Sequence, residues 1–139
     1  MSVALQEAAK GYALHEVPVG AVLVHDGKII ARAHNQTEAL CDATAHAEMI
    51  VLGAAMTHLK SKYLSKCALY VSLEPCVMCA GAMAWAQLDA LIFGAKDPKR
   101  GFLRYGQGML HPKTQVIYPV QAERSTKMLQ DFFKRLRKT

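Results

Sequence analysis

The sequence predicts an α/β fold in which a five-stranded mixed sheet lies between two layers of helices, a three-layer α/β/α arrangement. Apolar, β-prone runs alternate along the chain with segments of helical periodicity. A strand, a helix and a second strand follow one another between residues 68 and 94, a length that suits a βαβ unit with parallel strands. Hydrophobic residues make up 52% of the 139 residues, so we expect one domain over 1–139 with a substantial core.

The first half of the chain is predicted to contain a helix, a β-hairpin and a second helix. The first helix covers 1–14. The apolar runs at Gly20–His25 and 28–33 flank an Asp-Gly dipeptide, which favours a tight hairpin turn. Helix formers predict the second helix at 44–56, with Thr44 as a candidate N-cap residue. The candidate core positions of the two helices are Val3, Ala4, Ala8, Leu14, Ala47, Ile50, Val51 and Ala54.

The second half is predicted to contain three strands, two helices and one long loop. Pro75 precedes the first of these helices, and proline suits a helix start because the first backbone N–H groups have no helical partner. The predicted segments are a strand at 68–73, a helix at 76–87, a strand at 90–94, an irregular loop at 96–113, a strand at 115–118 and a helix at 121–138.

Composition argues against several other classes of protein. The longest stretch without charge, 75–88, is shorter than the roughly 20 residues that cross a bilayer. The N-terminal residues show no basic and apolar regions of the signal-peptide type. Four cysteines are too few for a disulfide scaffold, and two of them form a Cys-x-x-Cys pair that suggests metal binding or catalysis. We therefore expect a cytoplasmic protein without membrane association.

Positive charge is concentrated in the C-terminal third. From Lys96 onward the chain holds 11 basic and 3 acidic residues, whereas the first 95 residues hold 6 basic and 8 acidic ones. Such a distribution favours a polyanionic partner, although a solvated lysine-rich surface would give the same pattern. The candidate residues for contacts with the backbone of such a polyanion are Arg104, Lys134, Arg135 and Arg137.

Two short motifs carry residue types that bind zinc. His46-Ala47-Glu48 lies near the start of the second predicted helix, and Cys76 and Cys79 lie at the start of the third. Cysteines three residues apart on a first helical turn face the same way, and a helix N-terminus favours thiolate. With His46 as a third ligand, a fourth position is left for water, as in catalytic zinc sites. Glu48 could shuttle protons there, provided that the chain is still entering the helix at His46.

Other interpretations remain open on spacing alone. A Cys-x-x-Cys pair can be a redox pair, although the preceding Glu-Pro is not typical of a thioredoxin-like context. A structural zinc site would need a fourth ligand, and the candidates are Cys41, Cys67, His34 and His58, with Cys41 stronger than Cys67. The joint pattern, H-x-E followed by P-C-x-x-C, is more specific because it is the established signature of zinc nucleobase deaminases.

With these motifs the chain resembles the bacterial tRNA-specific adenosine deaminases of the cytidine-deaminase-like superfamily. The run at 73–83 separates this branch from cytidine and guanine deaminases better than the zinc ligands do. The resemblance implies a single zinc-dependent deaminase domain of cytidine-deaminase-like fold, one zinc ion per subunit, no organic cofactor, and a homodimer that contacts tRNA with both subunits. The matching segments are 17–24, 34–35, 44–48, 69–83, 93–97 and 131–133.

The resemblance also implies roles for individual residues. His46, Cys76 and Cys79 would hold zinc, and Glu48 would move protons between water, the purine N1 and the leaving ammonia. Five further residues would surround the flipped nucleotide: Asn35 hydrogen-bonding the base, Ala47 contacting its edge through the backbone, Val19 packing on it, Asp97 contacting the flanking ribose and Phe133 shaping the pocket.

The segment 100–106 departs from the family pattern. Small residues are usual there, whereas this chain has Phe102, Leu103, Arg104 and Tyr105. Aromatic side chains beside an arginine are suited to stacking on unpaired RNA bases, so we expect Phe102 and Tyr105 to contact RNA. The alternative is that Phe102 and Leu103 pack in the core or in a dimer interface.

The function predicted from these observations is hydrolytic deamination of the wobble adenosine of a tRNA anticodon to inosine. The alternative is a zinc-dependent deaminase of a free base or nucleoside such as guanine or cytosine, which would not need the basic C-terminal third. A zinc-stabilised nucleic-acid-binding module without catalysis is a third class, but it would have no use for a carboxylate two residues from a zinc ligand.

Overall fold

A computed structural model describes residues 1–138 and places a mixed five-stranded sheet at the centre of the fold. Within these residues no helix is both long and apolar enough to cross a membrane. Two short 3-10 turns, at Phe102–Tyr105 and Gln107–Met109, interrupt the loop that was predicted to be irregular. The helices and strands are α1 (Ser2–Ala13), β1 (Gly20–His25), β2 (Lys28–His34), α2 (Ala47–Leu59), β3 (Cys67–Leu73), α3 (Val77–Ala86), β4 (Ala90–Ala95), β5 (Gln115–Ile117) and α4 (Ala122–Lys138).

The strands follow the order β2-β1-β3-β4-β5, and this order contains the predicted β1–β2 hairpin and the predicted parallel β3–β4 pair. β1 pairs antiparallel with β2 through the Asp-Gly turn and antiparallel with β3 on its other side. β3 and β4 are parallel, as the βαβ unit requires, and β5 also pairs parallel with β4. Helices α2 and α3 contact each other, and so do α1 and α4, so two helical layers enclose the sheet. The predicted three-layer α/β/α fold is confirmed.

Alternate residues of the central strands form the core between the sheet and the α2–α3 layer. Successive side chains of a strand point to opposite faces, so every second residue enters this core. The largest of these fully buried strand residues are Leu23, Leu69, Val71, Leu91 and Phe93.

Two predicted core positions are wrong, and so is the predicted start of the second helix. Leu14 is 62% exposed because α1 ends at Ala13, and Leu5 is buried instead. In α2, Ala54 is exposed and Ala55 is buried. Helix α2 begins three residues later than predicted.

The later start of α2 has a local cause. The Asp42 side chain accepts hydrogen bonds from the backbone N–H and the hydroxyl of Thr44, at 2.8 and 2.7 Å. These bonds hold a turn before the helix, so Thr44 does not cap it. His46 occupies the N-cap position instead.

Candidate metal centre and active site

The N-termini of α2 and α3 bring three metal-binding side chains together. His46 is the N-cap residue of α2, Cys76 is the N-cap residue of α3, and Cys79 lies in the first turn of α3. The Nδ1 atom of His46 lies 3.6 Å from the Sγ atom of each cysteine. All three ligand atoms lie within 4.8 Å of one another. The two motifs that are 30 residues apart in sequence therefore form one cluster.

The spacing of the three donor atoms fits a zinc ion. Tetrahedral coordination with a Zn–N distance of about 2.0 Å and a Zn–S distance of about 2.3 Å puts nitrogen and sulfur roughly 3.5 Å apart. The observed separations of 3.6 Å agree with that value. One imidazole and two thiolates are also a donor set that zinc prefers.

The rival ligands lie elsewhere. Cys41 is exposed and its thiol contacts the carbonyl of Glu38. Cys67 is buried beside His25, with 3.5 Å between its Sγ atom and the Nδ1 atom of that histidine. Among residues 1–138, the group of side chains close enough to hold one metal ion consists of His46, Cys76 and Cys79. A three-ligand site of this kind corresponds to the catalytic rather than the structural form of a zinc centre.

The cluster is electrostatically coupled. A hydrogen bond from the Cys79 thiol, and then one with His46, lowers the pKa of Cys76 to about 4. The same contact with Cys76, together with burial, raises the pKa of Cys79. The hydrogen bond with Cys76 raises the pKa of His46. Cysteine and histidine bind metal in their deprotonated forms, so a metal ion must displace the protons that the cluster carries without it.

Glu48 lies in the first turn of α2, within the same cavity as the cluster. His46 has an extended backbone, with φ −70° and ψ 149°, so the chain is still entering the helix at that residue. This conformation lets both His46 and Glu48 line one cavity, as the sequence interpretation required. Glu48 is only 4% exposed, and burial raises its pKa to about 7. A carboxyl group with this pKa can both accept and donate a proton near neutral pH.

A cavity of about 470 Å³ opens over the cluster. Every residue predicted to surround the nucleotide lines it: Val19, Asn35, Ala47, Asp97 and Phe133. These residues come from five different parts of the chain, and the fold brings them to one edge of the sheet. Sequence reasoning missed further lining residues, namely Val17, Thr37, Leu73, Glu74, Arg100 and Leu129.

Asn35 supplies an unsatisfied acceptor in the cavity. It is 7% exposed, and its Oδ1 atom is buried without a hydrogen-bond partner among the described residues. Its backbone N–H donates to the carbonyl of Val19 at 3.0 Å, which fixes the residue at the wall. A buried acceptor without a donor is costly, so this atom is suited to an N–H group of a ligand.

Asp97 has a local role besides lining the cavity. Its Oδ1 atom accepts the backbone N–H groups of Lys99 and Arg100, both at 3.1 Å. Its carboxylate therefore shapes the loop that follows β4, and Arg100 in this loop also lines the cavity. Phe133 reaches the cavity from α4 and is 41% exposed.

The predicted RNA contact through Phe102 is wrong. Phe102 is fully buried, and its ring packs edge-to-face against Phe93 with 6.1 Å between ring centroids. Tyr105 is 66% exposed, and the Arg104 guanidinium lies 5.9 Å from the centre of its ring. The segment thus contains a core residue at the start of a short 3-10 turn and an exposed aromatic residue at its end.

The predicted basic contacts lie on the outside of the fold. Lys134, Arg135 and Arg137 are exposed on the last turns of α4. A second cavity of about 620 Å³ shares Asp97, Arg100 and Phe133 with the first, so the two adjoin. Its basic lining residues are Lys96, Lys99, Arg100 and Arg137.

Comparison with known proteins supports an assignment to a family. Residues 1–137 match the MafB19-like deaminase family. The chain is 42% identical to the tRNA-specific adenosine deaminase of Aquifex aeolicus, over 99% of this chain and 93% of the relative. It is 43% identical to the tRNA-specific adenosine deaminase of Bacillus subtilis, over 99% of this chain and 89% of the relative.

A solved structure agrees with this assignment. It comes from a study of A-to-I editing by tRNA:A34 deaminases at the wobble position of transfer RNA. It superimposes with a TM-score of 0.87 at 41% identity, and the match covers 93% of this chain and 97% of the other. The deaminase-type His/Cys/Cys cluster and these matches along nearly the whole chain lead to one assignment: this protein belongs to the MafB19-like deaminases, among the tRNA-specific adenosine deaminases.

Proposed function

We propose that this protein hydrolytically deaminates the wobble adenosine of a tRNA anticodon to inosine, with one zinc ion per subunit held by His46, Cys76 and Cys79. The observation that carries the proposal is the position of Glu48, a buried carboxyl group in the same cavity as the three zinc-type ligands. A zinc ion, when bound, supplies Lewis-acid activation of water. A structural zinc site has no use for a buried carboxyl group beside its ligands.

Glu48 moves the protons of the reaction. Burial raises the pKa of Glu48 above its ordinary value, which suits a carboxyl group that both accepts and donates protons. As a carboxylate it accepts a proton from the attacking water and donates this proton to the purine N1. It then accepts the remaining proton of the added hydroxyl group and donates that proton to the leaving ammonia. Water adds at the base carbon that carries the amino group, and the C–N bond to ammonia breaks, which leaves inosine. Glu48 is only 4% exposed, and a base that fills the cavity would further limit its contact with bulk water during these transfers.

The cavity walls hold the base. Asn35 accepts a hydrogen bond from the flipped adenine through its unpartnered Oδ1 atom. Val19 and Phe133 pack on the ring, the Ala47 backbone contacts the edge of the base, and Asp97 faces the flanking ribose. A nucleotide must leave the base stack to reach this depth, which fits an unpaired anticodon loop.

The basic surface binds the RNA backbone. Exposed cations on the last turns of α4 adjoin the cavity wall formed by Leu129 and Phe133 on the same helix. Arg104 donates a hydrogen bond to the carbonyl of Lys99, so it lies in the loop that carries Arg100. This continuity favours an RNA substrate over the alternative free base, which would need no cations outside the cavity. The residues proposed to contact phosphates are Arg104, Lys134, Arg135 and Arg137.

A homodimer is proposed to form through α3. Trp85, near the end of α3, is 85% exposed, and Val77 at the start of the same helix is 41% exposed. A tryptophan this exposed is suited to burial against a second copy of the chain. Sedimentation of a Trp85→Arg variant should give monomers, whereas an unchanged dimer would place the interface elsewhere. Because tRNA is the substrate, the proposal also places the protein in the cytoplasm.

The decisive experiment is incubation of the zinc-loaded protein with an anticodon stem-loop that carries a wobble adenosine, read out as inosine. Free guanine and free cytosine serve as alternative substrates under the same conditions. Inosine in the stem-loop, with no change in the free bases, is the expected result. Deamination of guanine or cytosine without inosine would replace the proposal with the free-base alternative.

A further inference from the structure

Glu74 is a buried acidic residue for which the proposed chemistry has no role. It lies between β3 and α3, two residues before the ligand Cys76, and is 3% exposed. One carboxylate oxygen accepts the backbone N–H of Asp97 at 2.9 Å, and the other accepts the backbone N–H of Leu103 at 3.0 Å. Both oxygens thus accept hydrogen bonds from one loop, 97–103, which begins two residues after the end of β4.

Backbone contacts also connect this loop to the segment that carries Cys76. Gly101 forms an isolated antiparallel bridge with Cys76. The backbone N–H of Phe102 donates to the carbonyl of Pro75 at 2.9 Å. A Cβ atom on Gly101 would lie 1.9 Å from the Oε2 atom of Glu74, so the loop can close on the carboxylate only where this residue lacks a side chain.

We propose that Glu74 is a positioning residue that fixes loop 97–103 over the cavity and thereby sets the substrate-facing positions of Asp97 and Arg100. The inference rests on the proposed function, because both residues line the proposed nucleotide cavity. Glu74 holds the N–H of Asp97, and the Asp97 side chain in turn holds the N–H of Arg100. The carboxylate therefore acts on the substrate through a chain of two hydrogen-bonding steps.

The effect is expected on substrate binding rather than on the chemical step. His46 and Glu48 are carried by α2, whereas both hydrogen bonds of the Glu74 carboxylate come from the backbone of loop 97–103. Loss of the carboxylate should release the loop while the cluster and its proton-transfer group stay in place. KM for the RNA should rise while kcat stays nearly constant.

The test is Glu74→Gln, with Glu7→Gln as the matched control. The amide keeps the shape and one acceptor, but its NH₂ group faces a backbone N–H that needs an acceptor. We expect KM for the stem-loop to rise about tenfold, the usual scale for a lost hydrogen bond to a charged group, with kcat within about twofold. Glu7 is an equally buried carboxylate outside the cavity lining, so its variant should lose stability and keep KM.

Two further readouts do not depend on turnover. Trypsin should cleave after Lys99 or Arg100 faster in Glu74→Gln than in Glu7→Gln, because the loop is no longer held. The charge-transfer absorption of the cobalt-substituted protein should stay unchanged, because the metal ligands are undisturbed. If the wild type makes no inosine, the proposed function fails, and the trypsin comparison still decides the role of Glu74.

Gly101→Ala disturbs the same contact between Glu74 and loop 97–103 without removing the carboxylate. Its Cβ atom displaces the Glu74 side chain, so KM should rise to a similar extent, and the double variant should not add the two effects. This variant replaces Glu74→Gln if the latter does not fold. Unchanged KM and unchanged trypsin cleavage in either variant would overturn the positioning role. A fall in kcat or an altered cobalt spectrum would do the same, because it would place the effect at the metal centre.

Discussion

Replacement of Phe102 by alanine should destabilise this protein severely. The side chain is fully buried, and its ring packs edge-to-face on Phe93, which itself stacks on Tyr118 with ring centroids 4.6 Å apart. Truncation of a buried phenylalanine costs about 3–5 kcal/mol, of which the aromatic pair accounts for about 0.5–1.5 kcal/mol. Domains of this size have unfolding free energies of about 5–15 kcal/mol, so the variant should lose a large share of its stability.

Urea unfolding of the zinc-loaded protein measures this loss, with Tyr105→Ala as the matched control. Tyr105 lies three residues away in the same loop and is 66% exposed, so its replacement should change the unfolding free energy by no more than about 0.5 kcal/mol. The Phe102→Ala variant should show a lower urea midpoint with an unchanged slope, which indicates a change in stability rather than in the unfolded state.

A Phe102→Ala variant whose stability loss is as small as that of Tyr105→Ala would refute the core role of Phe102. A Phe102→Ala variant that kept its stability but bound the stem-loop more weakly would also refute this role, because that result would restore the stacking role suggested by the sequence. If Phe102→Ala does not fold, Phe102→Leu provides a milder test, with an expected loss of about 1 kcal/mol.

Four further predictions follow from other parts of the structure. Glu48→Ala should keep zinc and fold but lose about 10²–10⁴-fold in turnover, and near-normal activity of the metal-replete variant would exclude its role. Cys41→Ser and Cys67→Ala should each retain one zinc per chain in elemental analysis, since neither residue belongs to the cluster. Loss of metal from either variant would show that the replaced cysteine is a further zinc ligand. Burial tends to raise the pKa of Glu7, but its hydrogen-bonded cations outweigh burial and leave that pKa below the ordinary value of 4.5. Glu7 therefore stabilises the fold above pH 4.5, and the difference in unfolding free energy between wild type and Glu7→Gln should shrink as pH falls through the pKa of Glu7; a constant difference would contradict this assignment. The last prediction concerns four basic residues at the end of α4: Lys134, Arg135, Arg137 and Lys138. Their joint removal should reduce the slope of log binding constant against log salt concentration for RNA by about 0.7–0.9 per lost phosphate contact. An unchanged slope would mean that these residues only solvate the helix.

Local signals in the sequence determined the fold class and the order of the elements. The Asp-Gly dipeptide between two apolar runs is sufficient to predict the β1–β2 hairpin, and the spacing from 68 to 94 is sufficient to predict the parallel pair β3 and β4. Helix ends were predicted less well: a side-chain turn at Asp42 delays α2 until His46 caps it. The chemistry of the metal site was also predictable, because His46, Glu48, Cys76 and Cys79 lie in two short motifs whose residue types have few other uses together.

Only the tertiary structure decided which side chains face the core and which loops are held together. The sequence shows Phe102 and Tyr105 as similar aromatic residues, yet one is fully buried and the other is 66% exposed, since burial depends on what packs from other elements. The sequence likewise shows Glu74 beside a zinc ligand but not its partners, which lie 23 and 29 residues further along the chain. Contacts of that range arise when parallel strands bring distant loops to one edge of the sheet, and no local pattern in the chain records them.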